Sequence, residues 1–318
     1  MFNRSLRSAG LMVGALFILA APQAFAQVPA EVASKLRELG RGILVPQTLA
    51  LYAPLHTEKE PYAGVKILRD AKYGADERQA LDVFMPENMS GGPRPVLIFV
   101  HGGAFVAGNK KGPPGTFYYD NLGVWAVRNG MIGVNITYRL APAHKWPTGA
   151  QDTGAAVKWV IDNIASRGGD PARLFLSGHS AGGVHVADYL AFPQFHAGPG
   201  GPGIKGAIII SGVFDVARFP SGPPNKAYYG EDVSKYAERS PQPGLLKTTV
   251  PLLVAYAELD PPEFVAESKA LSEALCKAGK CPRLIELAKH SHMSETLSIN
   301  TGDTLLVGPI AEFVKNTK

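Results

Sequence analysis

No stretch of lysine and arginine in this chain reaches the density that a phosphate-binding patch needs, so nucleic acid is excluded as a partner despite a net charge of +5. No G-X-Y period organises its 35 glycines and 26 prolines, which excludes a collagen-like rod and makes them punctuation between short elements. One apolar segment stands at the very start, and no second segment is long enough to span a bilayer. No cysteine follows that first segment and no twin-arginine pair accompanies it, which argues against a lipoprotein and against twin-arginine export. What is present is apolar side chain: 46% of the 318 residues are hydrophobic and 19% charged, enough for a sizeable core and incompatible with intrinsic disorder.

Residues 1–26 read as a targeting segment rather than as part of the fold. Arg4 and Arg7 supply a positive start, an apolar run extends from Ala9 to Ala21, and Pro22 and Gln23 end it. Ala24-Phe25-Ala26 then gives a small-x-small site before Gln27. The expectation is a signal peptide cleaved after Ala26 and a soluble periplasmic or secreted product without stable membrane insertion.

From residue 27 onward the chain alternates strand and helix patterns. Strand-like runs fall at 65–69, 80–85, 95–100, 132–138, 174–177, 207–211, 251–257 and 283–288, and helical patterns at 149–166, 181–190, 262–278 and 301–318. Ala156, Trp159, Val160 and Ile164 recur at helical spacing on one apolar face. Such alternation predicts one α/β domain over 27–318, with a mostly parallel sheet covered on both sides and an antiparallel pair of strands at the front. Residues 27–60 and 214–246 do not fit the repeating unit and are candidates for a small cap. The Gly/Pro tract at 198–203 precedes a strand instead of opening a helix, and its prolines lack the N–H groups a phosphate needs, so it reads as a turn.

The chemistry concentrates in Gly178-His179-Ser180-Ala181-Gly182, a G-x-S-x-G pentapeptide between the apolar strand Leu174-Phe175-Leu176 and a helix beginning near Ala181. That strand–turn–helix context projects a serine hydroxyl above the sheet edge as a nucleophile. A second motif, His101-Gly102-Gly103-Ala104-Phe105, directly follows the strand Val96-Leu97-Ile98-Phe99-Val100. Backbone N–H groups in such a glycine loop can converge on a developing oxyanion together with that of Ala181, and the register points to Gly103 and Ala104 as the donors. His101 is expected to brace the loop.

With YRLAPAHKWP (Tyr138 to Pro147), DPARLFLSGHSAGG (Asp170 to Gly183) and YGADERQALDVFMP (Tyr73 to Pro86), these motifs resemble the hormone-sensitive-lipase-like and feruloyl-esterase-like branch of the α/β hydrolases. The likeness covers most of the chain after residue 60. It implies an eight-stranded α/β-hydrolase fold and hydrolysis of carboxylic esters without metal or cofactor. Ala104 departs from the third glycine common in lipase-like members, and His179 from an aspartate many of them carry; both variants are similar to the feruloyl-esterase side.

A serine nucleophile needs a base and an acid, expected in the order Ser, acid, His. The strand at 251–257 leads into Glu258-Leu259-Asp260-Pro261-Pro262, and the resemblance places the acid at Asp260, before proline. An N-cap role is the ordinary alternative for Asp260, and Glu258 and Asp215 follow as weaker acids. His290-Ser291-His292-Met293-Ser294 offers two bases; reach into the loop and the resemblance favour His292. The remaining histidines at 56, 144, 185 and 196 are expected on the surface or in packing. The assembled expectation is a serine hydrolase with catalytic Ser180, Asp260 and His292, forming an acyl-serine intermediate on a small ester substrate.

An amidase or arylformamidase would use the same triad on a C–N bond. A prolyl-type peptidase would need a large extra domain that this length cannot hold. A non-enzymatic binding module would be expected to lose a triad residue or an oxyanion glycine, and neither is lost. Phe105, Phe117, Tyr118, Tyr119 and Trp125 after the oxyanion loop, with Phe214, Phe219, Tyr228 and Tyr229 in the cap segment, are candidates to line a pocket for short-acyl or aryl esters. In an exported product, Cys276 and Cys281 are expected to form a disulfide.

Overall fold

The computed structural model describes residues 27–219 and 222–317; the expected signal peptide lies outside them. Eight strands form one sheet: β1 Val65–Lys72, β2 Ala80–Pro86, β3 Arg94–Val100, β4 Ile132–Ile136, β5 Gly169–His179, β6 Gly206–Ile210, β7 Leu252–Leu259 and β8 Arg283–Ser291. Their spatial order is β1-β2-β4-β3-β5-β6-β7-β8. β2 pairs antiparallel with β1 and with β4, and every other neighbouring pair is parallel. The eight expected strands are all present, several of them longer than the apolar run that announced them.

Ten α-helices accompany the sheet among the described residues. The first five are α1 Ala30–Leu39, α2 Val45–Tyr52, α3 Asp120–Arg128, α4 Thr148–Asn163 and α5 Ala181–Ala191. They are followed by α6 Pro223–Tyr229, α7 Gln242–Leu245, α8 Pro262–Lys277, α9 Ser294–Leu297 and α10 Val307–Asn316. The helix expected over 301–318 begins only at Val307, because Asn300 and Gly302 both take positive φ and turn the chain between α9 and α10. No described helix is long and apolar enough to cross a membrane.

The central strands read as continuous apolar runs because both faces are covered. Val96, Ile98 and Val100 of β3 enter the core shared with Val157 and Val160 of α4 and Val186 and Tyr189 of α5. Leu97 and Phe99 point the other way, into a core with Leu122 and Ala126 of α3 and Ile310 and Val314 of α10. This second core also takes Val32, Ala33 and Leu36, so α1 packs against the sheet's flank; it is not a free-standing cap.

The strand order fixes where a site can form. The chain leaves β3 for β4 on one side and returns to β5 on the other, so the carboxyl ends of β3 and β5 border the reversal at which open α/β sheets bind ligands. Val100 pairs with Gly178 across this boundary, which sets the 101–105 loop directly beside residue 180.

Candidate active site

Ser180 sits at φ 57°, ψ −125°, a conformation a non-glycine residue rarely adopts. Its neighbours make that turn possible. A Cβ on Gly178 would lie 2.3 Å from the Gly182 carbonyl oxygen, and one on Gly182 only 2.1 Å from that of Val100. The two glycines therefore let β5 reverse into α5 against the end of β3. The Ser180 N–H donates to Ile210 O at 2.9 Å, which ties the turn to β6.

The loop after β3 is bent with equal economy. Gly103 has φ 134°, and a Cβ there would strike the Ala107 carbonyl oxygen at 2.1 Å; Ala104 and Phe105 follow with φ 49° and 68°. The Gly102 amide is already spent, since it donates to Tyr119 Oη at 3.3 Å. Gly103 and Ala104 remain as the loop's donors, and Ala181 opens α5 where a first-turn N–H has no partner within the helix. Ala104, Ser180 and Ala181 line one cavity.

His101 is wholly buried beneath this loop, stacked on Tyr138 at 4.4 Å, with Nδ1 2.6 Å from Gly102 O. Burial pushes its imidazole down to about 3, with the Gly102 carbonyl opposing the shift. It braces the loop, as expected.

Asp260 and His292 come together at the ends of β7 and β8. Nδ1 of His292 lies 2.7 Å from Asp260 Oδ1, and both side chains are buried. Asp260 Oδ2 accepts from the Ala257 N–H at 2.9 Å and from Ser211 Oγ at 2.6 Å, while Arg41 Nη1 donates to the Asp260 carbonyl at 2.8 Å. No N-cap role competes: helix α8 starts at Pro262 after Pro261, without a side-chain cap. Glu258 accepts from the Lys289 N–H, and Asp215 pairs with Arg218, so neither weaker acid meets His292. His290 turns away, with Nδ1 2.9 Å from Ser294 Oγ and Nε2 3.2 Å from Asp303.

The cavity beside Ser180 is about 360 Å³ and mostly apolar. Of the nine aromatic candidates, Phe105, Phe219 and Tyr229 line it. Tyr228 stands behind Phe105, ring on ring at 4.4 Å, and Phe117, Tyr118, Tyr119, Trp125 and Phe214 serve other packing. Sequence reasoning missed Phe264, whose ring lies 4.8 Å from that of His292 and which links the cavity to that imidazole. From the two cap segments, 214–246 supplies Val216, Phe219, Pro224, Asn225 and Tyr229 to the wall, whereas 27–60 contributes Ile43 alone.

His185 is buried against Phe105 and Tyr228, and burial pushes it down to about 3. His56 reaches Leu297 O, and His144 lies near Asp76 at the surface. His179, His292 and Glu295 bring nitrogen and carboxylate atoms within 4.8 Å of one another, a metal-like spacing. Hydrogen-bonding partners already engage them, however: Glu295 meets Ser211, and His179 Nε2 meets the His292 carbonyl. Cys276 and Cys281 are joined as a disulfide.

Residues 81–197 match the BD-FAE family model. Esterase LipC of Mycobacterium tuberculosis is 36% identical over 49% of this chain and 40% of its own length. The gibberellin receptor GID1 of rice is 35% identical over 47% of this chain and 43% of its own. The chain thus spans about two fifths of either relative. Among solved structures, a truncated carbohydrate esterase from gut microbiota superposes with a TM-score of 0.68 at 18% identity, over 82% of this chain and 98% of that one.

Proposed function

We propose that this chain, whose eight-stranded scaffold is the α/β-hydrolase fold, hydrolyses carboxylic esters through an acyl-enzyme on Ser180. The observation that carries the reading is the buried Asp260–His292 pair, set beside the cavity into which the strained Ser180 turn opens.

Each role follows from that placement. A serine hydroxyl is a weak nucleophile at neutral pH, so the imidazole of His292 takes its proton during attack on the ester carbonyl. Asp260, bonded to Nδ1, fixes the tautomer that presents Nε2 and stabilises the imidazolium that forms. The negative charge gathering on the carbonyl oxygen meets the amides of Gly103, Ala104 and Ala181, each donor contributing about 3–4 kcal/mol where such groups have been removed elsewhere. His292 then protonates the departing alcohol, and the same ring activates the water that cleaves the acyl-enzyme.

The apolar cavity of about 360 Å³, walled by Phe105, Phe219, Tyr229 and Phe264, suits a short-acyl or aryl group. An amidase would share the triad. The resemblance to the gibberellin receptor GID1 keeps a ligand-binding reading in view, and an intact acid–base pair favours hydrolysis over it. The leader read in residues 1–26 supports a periplasmic or secreted product.

A fluorophosphonate probe should label the protein, and Ser180→Ala should abolish labelling; an unlabelled folded protein would overturn the hydrolase reading. A panel of p-nitrophenyl esters and methyl hydroxycinnamates should show activity falling steeply with acyl length. Highest efficiency on long fatty esters would point to a lipase instead.

A further inference from the structure

Behind the acid of the site lies a second, fully buried carboxyl group, Glu295, three residues after the base in the short helix α9. The hydroxyl of Ser211, at the end of β6, stands between the two acids: Oγ is 2.6 Å from Asp260 Oδ2, 2.9 Å from Glu295 Oε1 and 3.0 Å from Oε2. A serine hydroxyl has one proton to give. If both carboxyls were ionised, one of these short contacts would oppose oxygen lone pairs in a buried site. A proton on Glu295 removes the conflict.

We propose that Glu295 is a positioning residue held in its protonated form, donating to Ser211 Oγ so that Ser211 donates to Asp260, which in turn holds His292. This rests on the reading of Asp260 and His292 as acid and base. The far side of Glu295 agrees with it. His179 Nε2 is 2.9 Å from the His292 carbonyl oxygen, which can only accept, so Nε2 carries the hydrogen. The same N–H faces Glu295 Oε2 at 3.2 Å, matching the acceptor oxygen of a neutral carboxyl.

The titratable groups facing Glu295 are His179 from β5, Asp260 after β7, His292 after β8 and Tyr118 from the segment before α3, while Tyr52 of α2 meets the adjoining Ser294. Burial foremost, then the Asp260 charge, pushes Glu295 upward, and burial together with His292 pushes His179 downward; neither ring nor acid supplies a countercharge. The relay thus gives Asp260 a hydrogen bond without adding a second negative charge beside the imidazole.

The test uses the protein with Glu295→Gln, Ser211→Ala and, as a control, Asp188→Asn, since Asp188 is another buried carboxyl that burial pushes upward. Infrared spectra at neutral pH should show a protonated-carboxyl band of which Glu295→Gln and Asp188→Asn each remove a part. The acid limb of kcat/KM on p-nitrophenyl acetate should move by less than about 0.3 pH unit in Glu295→Gln, because no charge is lost. In Ser211→Ala it should move upward, since Asp260 loses a donor, and kcat should fall about tenfold at nearly constant KM. Two results would overturn the proposal. One is the absence of a Glu295 band; the other is a Glu295→Gln acid limb displaced downward by a unit or more, the signature of a lost carboxylate. If Glu295→Gln does not fold, the part of the wild-type band that persists in Asp188→Asn decides for Glu295, and complete loss of the band there decides against it. A wild-type protein inert on all esters would defeat the hydrolase reading while the infrared band still reports on Glu295.

Discussion

Asp260 Oδ1 and His292 Nδ1 stand 2.7 Å apart, whereas His290, two residues earlier, spends its ring on Ser294 and Asp303. Two histidines that alternation along an extended segment cannot separate are separated by their partners. His292→Ala should lower kcat on p-nitrophenyl acetate by roughly four to six orders of magnitude, as removal of a triad base does. His290→Ala should cost at most about tenfold in kcat. Its penalty should appear in stability, about 3 kcal/mol by urea unfolding, because Asp303 is left buried without its partner. The reverse pattern, with His290→Ala dead and His292→Ala near normal, would reassign the base.

Gly182 offers a test of the turn itself. A methyl group there would lie 2.1 Å from Val100 O and 2.5 Å from His101 O, both backbone atoms at the end of β3. Neither can yield without shifting the loop at 101–105, which holds the proposed oxyanion donors. Gly182→Ala should therefore destabilise the protein by about 3 kcal/mol and lower kcat even where the variant stays folded. Gly200→Ala, with nothing within 4 Å of its added carbon, should change stability by less than about 0.5 kcal/mol. Equal behaviour of the two variants in urea unfolding would refute the steric account.

What could be read from the sequence follows from how each signal is carried. Strands buried on both faces, such as β3 and β6, are written as unbroken apolar runs, and the tight turn at Ser180 is written in its glycines. Helix α3 carries Asp120, Asn121 and Arg128 on one side, but Asp120 and Asn121 are buried with the apolar residues, so that polarity marks no solvent face and could not announce the helix. Asp120 is paired with Arg69, and Asn121 bonds to the carbonyls of Thr296 and Ile299; such pairings are absent from local sequence. Phe264 reached the cavity wall unannounced because its place depends on how α8 leaves Asp260. Glu295 carried one legible sign, a lone acid between Ser294 and Thr296 three residues after His292, whose meaning required Ser211 from a distant strand.

The Cys276–Cys281 bridge closes a turn that the backbone already forms. Gly279 at φ 74° ends α8, and Lys280 N–H returns to Leu275 O at 2.8 Å, which brings the two Cα atoms to 4.0 Å. Replacing both cysteines by alanine should cost about 2 kcal/mol at most on the chain-entropy model for so short a loop, and less if the turn persists in the unfolded chain. Intact mass of the alkylated, unreduced protein should show no added alkyl group. Uptake of two groups would mean free thiols.

Acid stability should depend on His185. Its imidazole is fully buried against Phe105, Tyr138 and Tyr228, and burial, with a smaller part from His101, pushes it down to about 3. The folded state therefore keeps the ring neutral while the unfolded chain takes up a proton below its ordinary value of 6.5. The stability that follows is fully present above 6.5 and is lost as pH falls toward 3, at up to about 1.4 kcal/mol per pH unit. Asp188 and Glu295, both pushed upward by burial, act with the opposite sign, so a single stability curve mixes the terms. Comparing each protein with itself separates them: between pH 6.5 and 4.5 the wild type should lose about 2 kcal/mol more than His185→Asn, which cannot titrate. Urea unfolding at the two pH values measures this difference. Equal losses in the two proteins would show that the folded state protonates His185 as readily as the unfolded chain does.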